Sequence, residues 1–466
     1  MLKRILSFLL MLLLLTGLVA CKGGNSETQL PKYSQKEFGI AGFWAPYDIS
    51  EEGLKQYKEA GLNTLLMVNH AGERTSKEQF YLGSERTMTT LENCKKVGLK
   101  AIISYNDWVA ASCEGEGSDY YGETPFSKFD IYGDYKDIIT GVHIVDEPKT
   151  IHLPIYGNQT LIEDFKKIYP NALYIANLLP LSAGVKSYGY VDYDDMLNQF
   201  EENFMKPFDK PYISVDVYPF HIKVPDTHLY LAQNYQMIAE CAKKYDATKA
   251  FILQASTGSE FEDTLTEGDM RWQVNAAVAF GADEIQYYCY SSPYSLNDNG
   301  EKEHRYNYCM LNSDNTPSDV YYYVQKVNKE IQNFASVILS YDWDDSLGIE
   351  GSEESSYRLS SHIYDETYTN KKEFKDAKHY VSSTATKDLL VSRFESEQYG
   401  EGYMLVNFAK RDQKNSIEVI FKDCDQVAIY GGVDYSGTPD IVSLDENGKL
   451  KLELQYGEGV FVTPIV

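Results

Sequence analysis

The sequence predicts a (β/α)8 barrel followed by an all-β sandwich, and three observations carry that expectation. Eight short apolar runs alternate with amphipathic helical stretches across residues 37–340, a count that a closed barrel needs and doubly wound sheets rarely reach. From about Ser346 short strands recur with no helical stretch between them. Length agrees, because roughly 430 residues follow the N-terminal segment, more than one ordinary core serves. Two domains are therefore expected, a barrel over 37–340 and a β-sandwich over 345–466.

Lys3 and Arg4 precede an apolar run over 5–20 that is too short for an ordinary membrane span and typical of a secretory signal. It ends in Leu18, Val19, Ala20 and Cys21, which resembles the bacterial lipobox, whose cysteine is acylated. The resemblance implies a lipid at Cys21 that anchors the protein to the bacterial cell envelope, as its sole contact with membrane. Residues 22–36, polar and holding Gly23, Gly24 and Pro31, read as a flexible tether.

The barrel strands are expected at 38–49, ending in Trp44 and Pro46, then at 63–72 and 100–108. Ser50 can cap the first helix, whose Leu54, Tyr57 and Ala60 share a face, with Gly61 as its stop; the second helix runs to about Val97 before Gly98. A glycine-bearing loop (Gly115, Gly117, Gly122) and a short helical piece lead to GVHIVDEP at 141–148, a strand stopped by Pro148. A helix over 161–170, strands at 172–180 and 211–220, a helix over 226–245 and a strand at 249–257 continue the alternation. Thr266 and Asp269 form a capping box for a helix through Ala279, and the eighth strand is 284–290. The last helix begins at Thr316 with Pro317 in its first turn and an apolar stripe of Val320, Val324, Val327, Ile331 and Phe334. Later strands are expected at 388–394, 402–408, 416–421, 427–432 and 459–466, with Asn447 and Gly448 as a hairpin turn.

A net charge of −26 argues against nucleic acid or an anionic membrane surface as partner, since Lys and Arg are what neutralise phosphates. The 39 tyrosines supply polar, stackable surface. Beyond Cys21 the cysteines at 94, 113, 241, 289, 309 and 424 form no CxxC or Cys/His cluster, so neither a metal site nor a cofactor is expected; disulfides are permitted but not demanded.

Alternation along the strands assigns faces. Val142 and Ile144 oppose His143, Val145 and Glu147; Ile213, Val215 and Val217 oppose Ser214, Asp216 and Tyr218. Gln254 and Ser256 share a face, as do Gln286, Tyr288 and Tyr290, and Ser104, Asn106 and Trp108. Polar groups aimed at a barrel axis cost stability unless hydrogen-bonded or used, and a pocket is the simpler account. Glu147 and Asp216 are the candidate catalytic acids, with Asp146 facing away. Trp44, Asn69, Asn106, Trp108, Asp146, Asn177, Tyr218, Gln254 and Tyr288 are candidates for contact with a carbohydrate. Alone, Glu147 could be a solvated loop carboxylate and Asp216 a hydrogen-bonded core acid.

Hydrolysis of a glycosidic bond usually takes two carboxyls, ~5 Å apart for retention or ~6.5–9.5 Å for inversion. The acid-terminated fourth strand, DVYPF at 216–220, RWQVNAAVAFGADEIQYYCY at 271–290 and GEGVFV at 457–462 resemble bacterial glycoside hydrolases of the clan that includes the β-galactosidase and cellulase barrels. The resemblance implies an acid/base glutamate at the end of strand four, which Glu147 matches, with Asp146 where that clan usually has Asn. It also implies a nucleophilic glutamate ending strand seven, where Gln254 stands instead; Glu260 and Glu262 lie several residues on.

Three accounts of the partner remain. Asp216, with Tyr218 beside it, is preferred as nucleophile or base. Alternatively, Asp146 and Glu147 resemble the pair of hexosaminidases that use the substrate's own 2-acetamido group, which requires both neighbours to reach one pocket. The third is a glycan-binding surface lipoprotein without catalysis.

Overall fold

A computed structural model describes residues 30–44, 46–68, 80, 82–105, 126–222, 227–353 and 373–466; Cys21, Asn69, Asn106 and Trp108 lie outside them. Residues Ser34–Val466 form one compact unit. Eight parallel strands close its first part: β1 (Gly39–Gly42), β2 (Thr64–Met67), β3 (Lys100–Ser104), β4 (Ile139–Asp146), β5 (Leu173–Leu178), β6 (Tyr212–Asp216), β7 (Thr248–Gln254) and β8 (Glu284–Tyr288). Pairing of β8 with β1, from Gly39 opposite Glu284 to Gly42 opposite Tyr287, completes the ring.

Local chemistry fixes the helices between them. The Ser50 side chain accepts from the Gly53 N–H at the start of Glu51–Glu59, and Gly61 and Gly98 take positive φ just past two helix ends. Thr266 and Asp269 cap Glu267–Ala279 reciprocally. The final helix starts later than expected, at Asp319 with Ser318 as N-cap. Pro317 lies outside it because the preceding chain is still a turn: Leu311 bridges Pro317 and the Asn312 N–H bonds the Thr316 carbonyl. Its stripe of Val320, Val324, Val327, Ile331 and Phe334 is buried.

A small hairpin of β9 (Tyr294–Leu296) and β10 (Lys302–His304) follows the barrel strands. The C-terminal region then builds two antiparallel sheets from β11 (Asp342–Ile349), β12 (Tyr380–Ala385), β13 (Leu389–Ser396), β14 (Gly400–Asn407), β15 (Asn415–Phe421), β16 (Gln426–Gly431), β17 (Asp440–Ser443), β18 (Lys449–Leu454) and β19 (Gly459–Ile465). Their orders are β11-β13-β14-β19-β16-β17 and β12-β15-β18. Residues of both sheets, including Val391, Leu405, Val462, Ile417, Val419 and Leu450, share one buried apolar cluster, so the sheets pack face to face. The Asn447–Gly448 turn is not a hairpin: β17 pairs with β16 and β18 with β15, so the turn carries the chain from one sheet to the other.

The two parts are joined through the helix Glu267–Ala279. Trp272 is fully buried, with its ring 4.7 Å from that of Phe408. The Asn275 amide donates to the Gly457 carbonyl at 2.9 Å. Gly457 has φ +70, and a Cβ there would lie 2.6 Å from the Trp272 backbone nitrogen, so this close approach needs glycine. Asp269, fully buried, also accepts from Tyr456 at 2.9 Å and from Arg411 Nε at 2.8 Å. One carboxylate thus caps a barrel helix and anchors the β-sheets.

Replacing Asp269 with Ala removes the bonds it accepts from Arg411, which keeps Glu262, and from Tyr456, together with the helix cap. We expect a loss on the order of 3 kcal/mol in urea unfolding; a change below about 0.5 kcal/mol, the range of ordinary surface substitutions, would refute the anchoring role.

Candidate active site

The barrel axis is apolar at mid-height, where Ala41, Leu66, Ile102, Ile175, Ala250 and Ile252 meet, and polar toward the strand ends. On β6, Ser214 and Asp216 point to the axis with Asn177 of β5, as alternation predicts. On β4 alternation fails. His143 faces inward, its ring edge-on to Phe43, just past the end of β1, at 6.2 Å, but pairing with β5 then skips a residue: His143 opposes Ile175 and Val145 opposes Ala176. Ile144 is the extra residue of a β-bulge. Every side chain after it changes face, so Asp146 points inward, correcting the expectation that it faces away.

Glu147 would then point outward on a regular strand. Its φ of +46, a left-handed value uncommon for any residue but glycine, instead brings its side chain back beside Asp146. The Glu147 N–H donates to the Asn177 carbonyl at 3.0 Å, which pins this conformation. A bulge followed by one left-handed residue is how two consecutive acids reach one site.

The Asn177 side chain organises them. Its Nδ2 donates to Asp146 Oδ1 and to Asp216 Oδ1, each at 3.1 Å, while its Oδ1 accepts from Ser214 Oγ at 2.9 Å. Asp216 is 7% exposed, whereas Asp146 is open to solvent and Glu147 is half-buried. Tyr188, from the loop after β5, donates to Glu147 Oε2 at 3.2 Å. That loop is sewn to the strand-four turn: the Thr150 N–H bonds the Tyr188 carbonyl at 3.0 Å, and Tyr190 donates to the Pro148 carbonyl at 2.7 Å.

Burial, then the charges of Asp216 and Asp146, push the Glu147 carboxyl up to about 8, against the opposing bond from Tyr188. Burial and the Asp146 charge push Asp216 up to about 7, against the bond from Asn177. The cluster therefore holds a proton near neutrality, and a proton-donating carboxyl is its chemical capacity.

Beside the acids stands an aromatic wall. Tyr218 and Tyr288 stack with centroids 4.9 Å apart and Trp44 packs on Tyr288 at 4.8 Å. Phe261 and Tyr306 continue the wall, and the Tyr288 and Tyr306 hydroxyls are 3.0 Å apart. Trp44 is only 6% exposed, so its rings mostly back those of Tyr288 and Tyr306. Tyr290 does not share the face of Tyr288: it lies past the end of β8 and packs on Tyr57 of the first helix at 4.8 Å.

Strand seven offers no free acid at the site. Gln254 is fully buried; its Oε1 accepts from the Phe220 N–H at 3.0 Å and its Nε2 donates to the Ser256 carbonyl at 3.2 Å, fixing the chain after β6. Glu260 is paired with Arg305 at 2.7 Å and Glu262 with Arg411 at 2.5 Å. Among the described residues no group of three His, Cys, Asp or Glu is placed to hold a metal ion. Tyr188, Phe261 and Tyr306 were not foreseen; they come from loops, where no periodicity marks a direction.

No protein-family model matches the sequence, and no curated protein is similar to it. Among solved structures, a catalytic mutant of a family 42 β-galactosidase from G. stearothermophilus is 10% identical, covering 93% of this chain and 99% of that one with a TM-score of 0.55. A family 5 glycoside hydrolase from Bacteroides vulgatus is 9% identical, covering 94% and 90% with a TM-score of 0.49. A family 39 glycoside hydrolase from Bacteroides cellulosilyticus is 15% identical, covering 93% and 83% with a TM-score of 0.47. At such identities the β-galactosidase likeness is one of fold.

A carboxyl whose folded pKa is raised keeps its proton while the unfolded chain, titrating near 4, has already ionised. Raising the pH from about 4 to about 8 therefore favours unfolding through Glu147 and Asp216, and below that window the two states are equally protonated. Melting temperatures at pH 5 and pH 9 should fall less steeply for Glu147→Gln and Asp216→Asn than for the parent. Equal slopes in all three would show that the cluster holds no extra proton.

Proposed function

We propose that the protein hydrolyses O-glycosidic bonds of an oligo- or polysaccharide, with Glu147 as general acid. The observation that carries this reading is the convergence of Glu147, Asp146 and Asp216 around Asn177 and Tyr188, in which burial and like charge favour a protonated Glu147. Departure of a sugar's leaving oxygen needs that proton, and a neighbouring carboxylate stabilises the positive charge that develops at the anomeric carbon. Tyr218 and Tyr288 offer stacked rings beside the acids for the apolar face of a sugar. The likeness in fold to a β-galactosidase points the same way by analogy only. Action outside the cell, at the bacterial envelope, fits the export signal over 1–21 and a lipid anchor at Cys21.

The second carboxylate divides the reading. Asp216 as nucleophile, or as base for water, must act from a position 7% exposed with one oxygen already held by Asn177. The exposure of Asp146 beside Glu147 favours a second account. There, Asp146 orients the N–H of a 2-acetamido group and the acetamido oxygen attacks the anomeric carbon as Glu147 protonates the leaving oxygen. Glu147, now a carboxylate, then takes a proton from the water that opens the cyclic intermediate. In this account Tyr218 assists, and Asn177, itself bonded to Asp216, holds Asp146 in position.

Glu147→Gln should lower turnover of unactivated glycosides by roughly 10³-fold, the scale of a lost general acid, and less for aryl glycosides with acidic leaving groups. In the parent, kcat/KM should decline above about pH 8 as Glu147 ionises. Binding of a glycan with no sugar released, and affinity unchanged in Glu147→Gln, would overturn the enzymatic reading in favour of a receptor.

Aryl glycosides with and without a 2-acetamido group separate the two accounts. Activity confined to the acetamido sugars and lost in Asp146→Asn supports substrate assistance. Activity on plain sugars, lost in Asp216→Asn and rescued by azide, supports a nucleophilic Asp216.

A further inference from the structure

Away from the acids, two thiols meet behind the aromatic wall. We propose that Cys289 and Cys309 are a disulfide-forming pair, which closes when the chain folds in the presence of an exchangeable disulfide and locks the loop bearing Tyr306 to the end of β8. Their sulfurs are 3.2 Å apart and both residues are fully buried. Three further contacts hold the pair in register without help from the sulfurs. The Met310 N–H donates to the Cys289 carbonyl at 3.2 Å, and the Leu311 N–H donates to the Tyr290 carbonyl at 2.9 Å. Ser318 Oγ donates to the Cys309 carbonyl at 2.6 Å, fixing that side from the start of the last helix. With both backbones held by their own bonds, closure needs a small adjustment of two side chains and no rearrangement of the chain.

The segment enclosed runs from Tyr290 to Tyr308. It includes the β9–β10 hairpin, Arg305 paired with Glu260, and Tyr306, whose hydroxyl meets that of Tyr288. A cross-link at its base limits the ways this long excursion can open in the unfolded chain and ties the aromatic wall to the barrel. Among the described residues no other two thiols are in contact; the Cys241 sulfur lies 3.6 Å from a Glu201 oxygen instead.

The chemistry sets when the bond forms. A thiolate of one cysteine attacks a sulfur of the exchangeable disulfide, for example glutathione disulfide, and expels one glutathione thiolate. The second cysteine's thiolate then attacks the protein sulfur of the mixed disulfide and expels the other. Two cysteine thiols are oxidised, one external disulfide is reduced to two thiols, and the two protons leave with the departing thiolates. In the folded protein, burial pushes the Cys289 thiol well up and denies access to a bulky partner, so exchange belongs to the folding chain.

The full chain is synthesised cell-free with glutathione and glutathione disulfide in one arm and dithiothreitol in the other. Free thiols are then alkylated in denaturant without reductant, and the peptides are mapped by mass spectrometry. A Cys289–Cys309 linked peptide, lighter by two hydrogens than its parts and confined to the glutathione arm, is expected, with Cys94, Cys241 and Cys424 alkylated. Full alkylation of Cys289 and Cys309 in the glutathione arm, or either linked to another cysteine, Cys113 included, would overturn the pairing. The oxidised protein should also melt above the reduced one; identical melting would overturn the locking role. Because neither readout depends on turnover, failure here leaves the glycosidase reading untouched, and the converse holds.

Discussion

The Asn177 carboxamide, set between Asp146 and Asp216, is the interaction on which the rest of the site depends. Two carboxylates approach one nitrogen, and they do so only because that nitrogen carries two hydrogens to give. Ser214 fixes which end of the amide faces them, by donating to its oxygen. The Asn177 backbone carbonyl meanwhile holds Glu147 in its left-handed conformation. One residue of β5 thus positions all three acids, two through its side chain and the third through its main chain. Burial first, and then their like charges, keep a proton on the cluster.

The interior beneath this cluster explains how a polar axis is tolerated. Gln286 donates to the Tyr212 hydroxyl at 3.0 Å, so buried polar groups below the acids are partnered with one another. His143 differs. Neither of its ring nitrogens has a hydrogen-bond partner, and burial holds its pKa below the usual imidazole range, so it remains neutral under Asp146. A neutral ring adds no positive charge that would draw the proton off Glu147. The β-sheets contribute from outside: Arg411 reaches across to Asp269 and Glu262, and so steadies the loop between β7 and its helix.

Much of the frame was legible in the sequence, because strands, caps and stripes are set by residues close together in the chain. The Thr266–Asp269 box, the stop at Gly98 and the inward run of Ser214 and Asp216 are local rules obeyed. What was hidden depends on neighbours distant in sequence. The bulge at Ile144 exists because β4 must match the register of β5, and nothing in GVHIVDEP announces it. Gln254 reads as a pocket residue until Phe220 is seen to occupy it. Asn447 and Gly448 make a good hairpin turn in sequence, yet the strands on either side find partners in different sheets.

The conformation of Glu147 bears on why the acids are adjacent at all. Left-handed backbone is unfavourable for a side chain with a β-carbon and falls most easily to glycine or asparagine. A glycine at this position would relieve the backbone and keep the bond from its N–H to Asn177, so the turn itself does not require a carboxylate. Strain of this kind persists where surrounding structure over-determines it, and here Asn177, Tyr188 and the Tyr190–Pro148 bond all do so. Since the backbone gains nothing from glutamate, the side chain must be the reason for it. The bulge before it turns Asp146 inward, the left-handed step returns Glu147, and two neighbours that strict alternation would separate are delivered to one site.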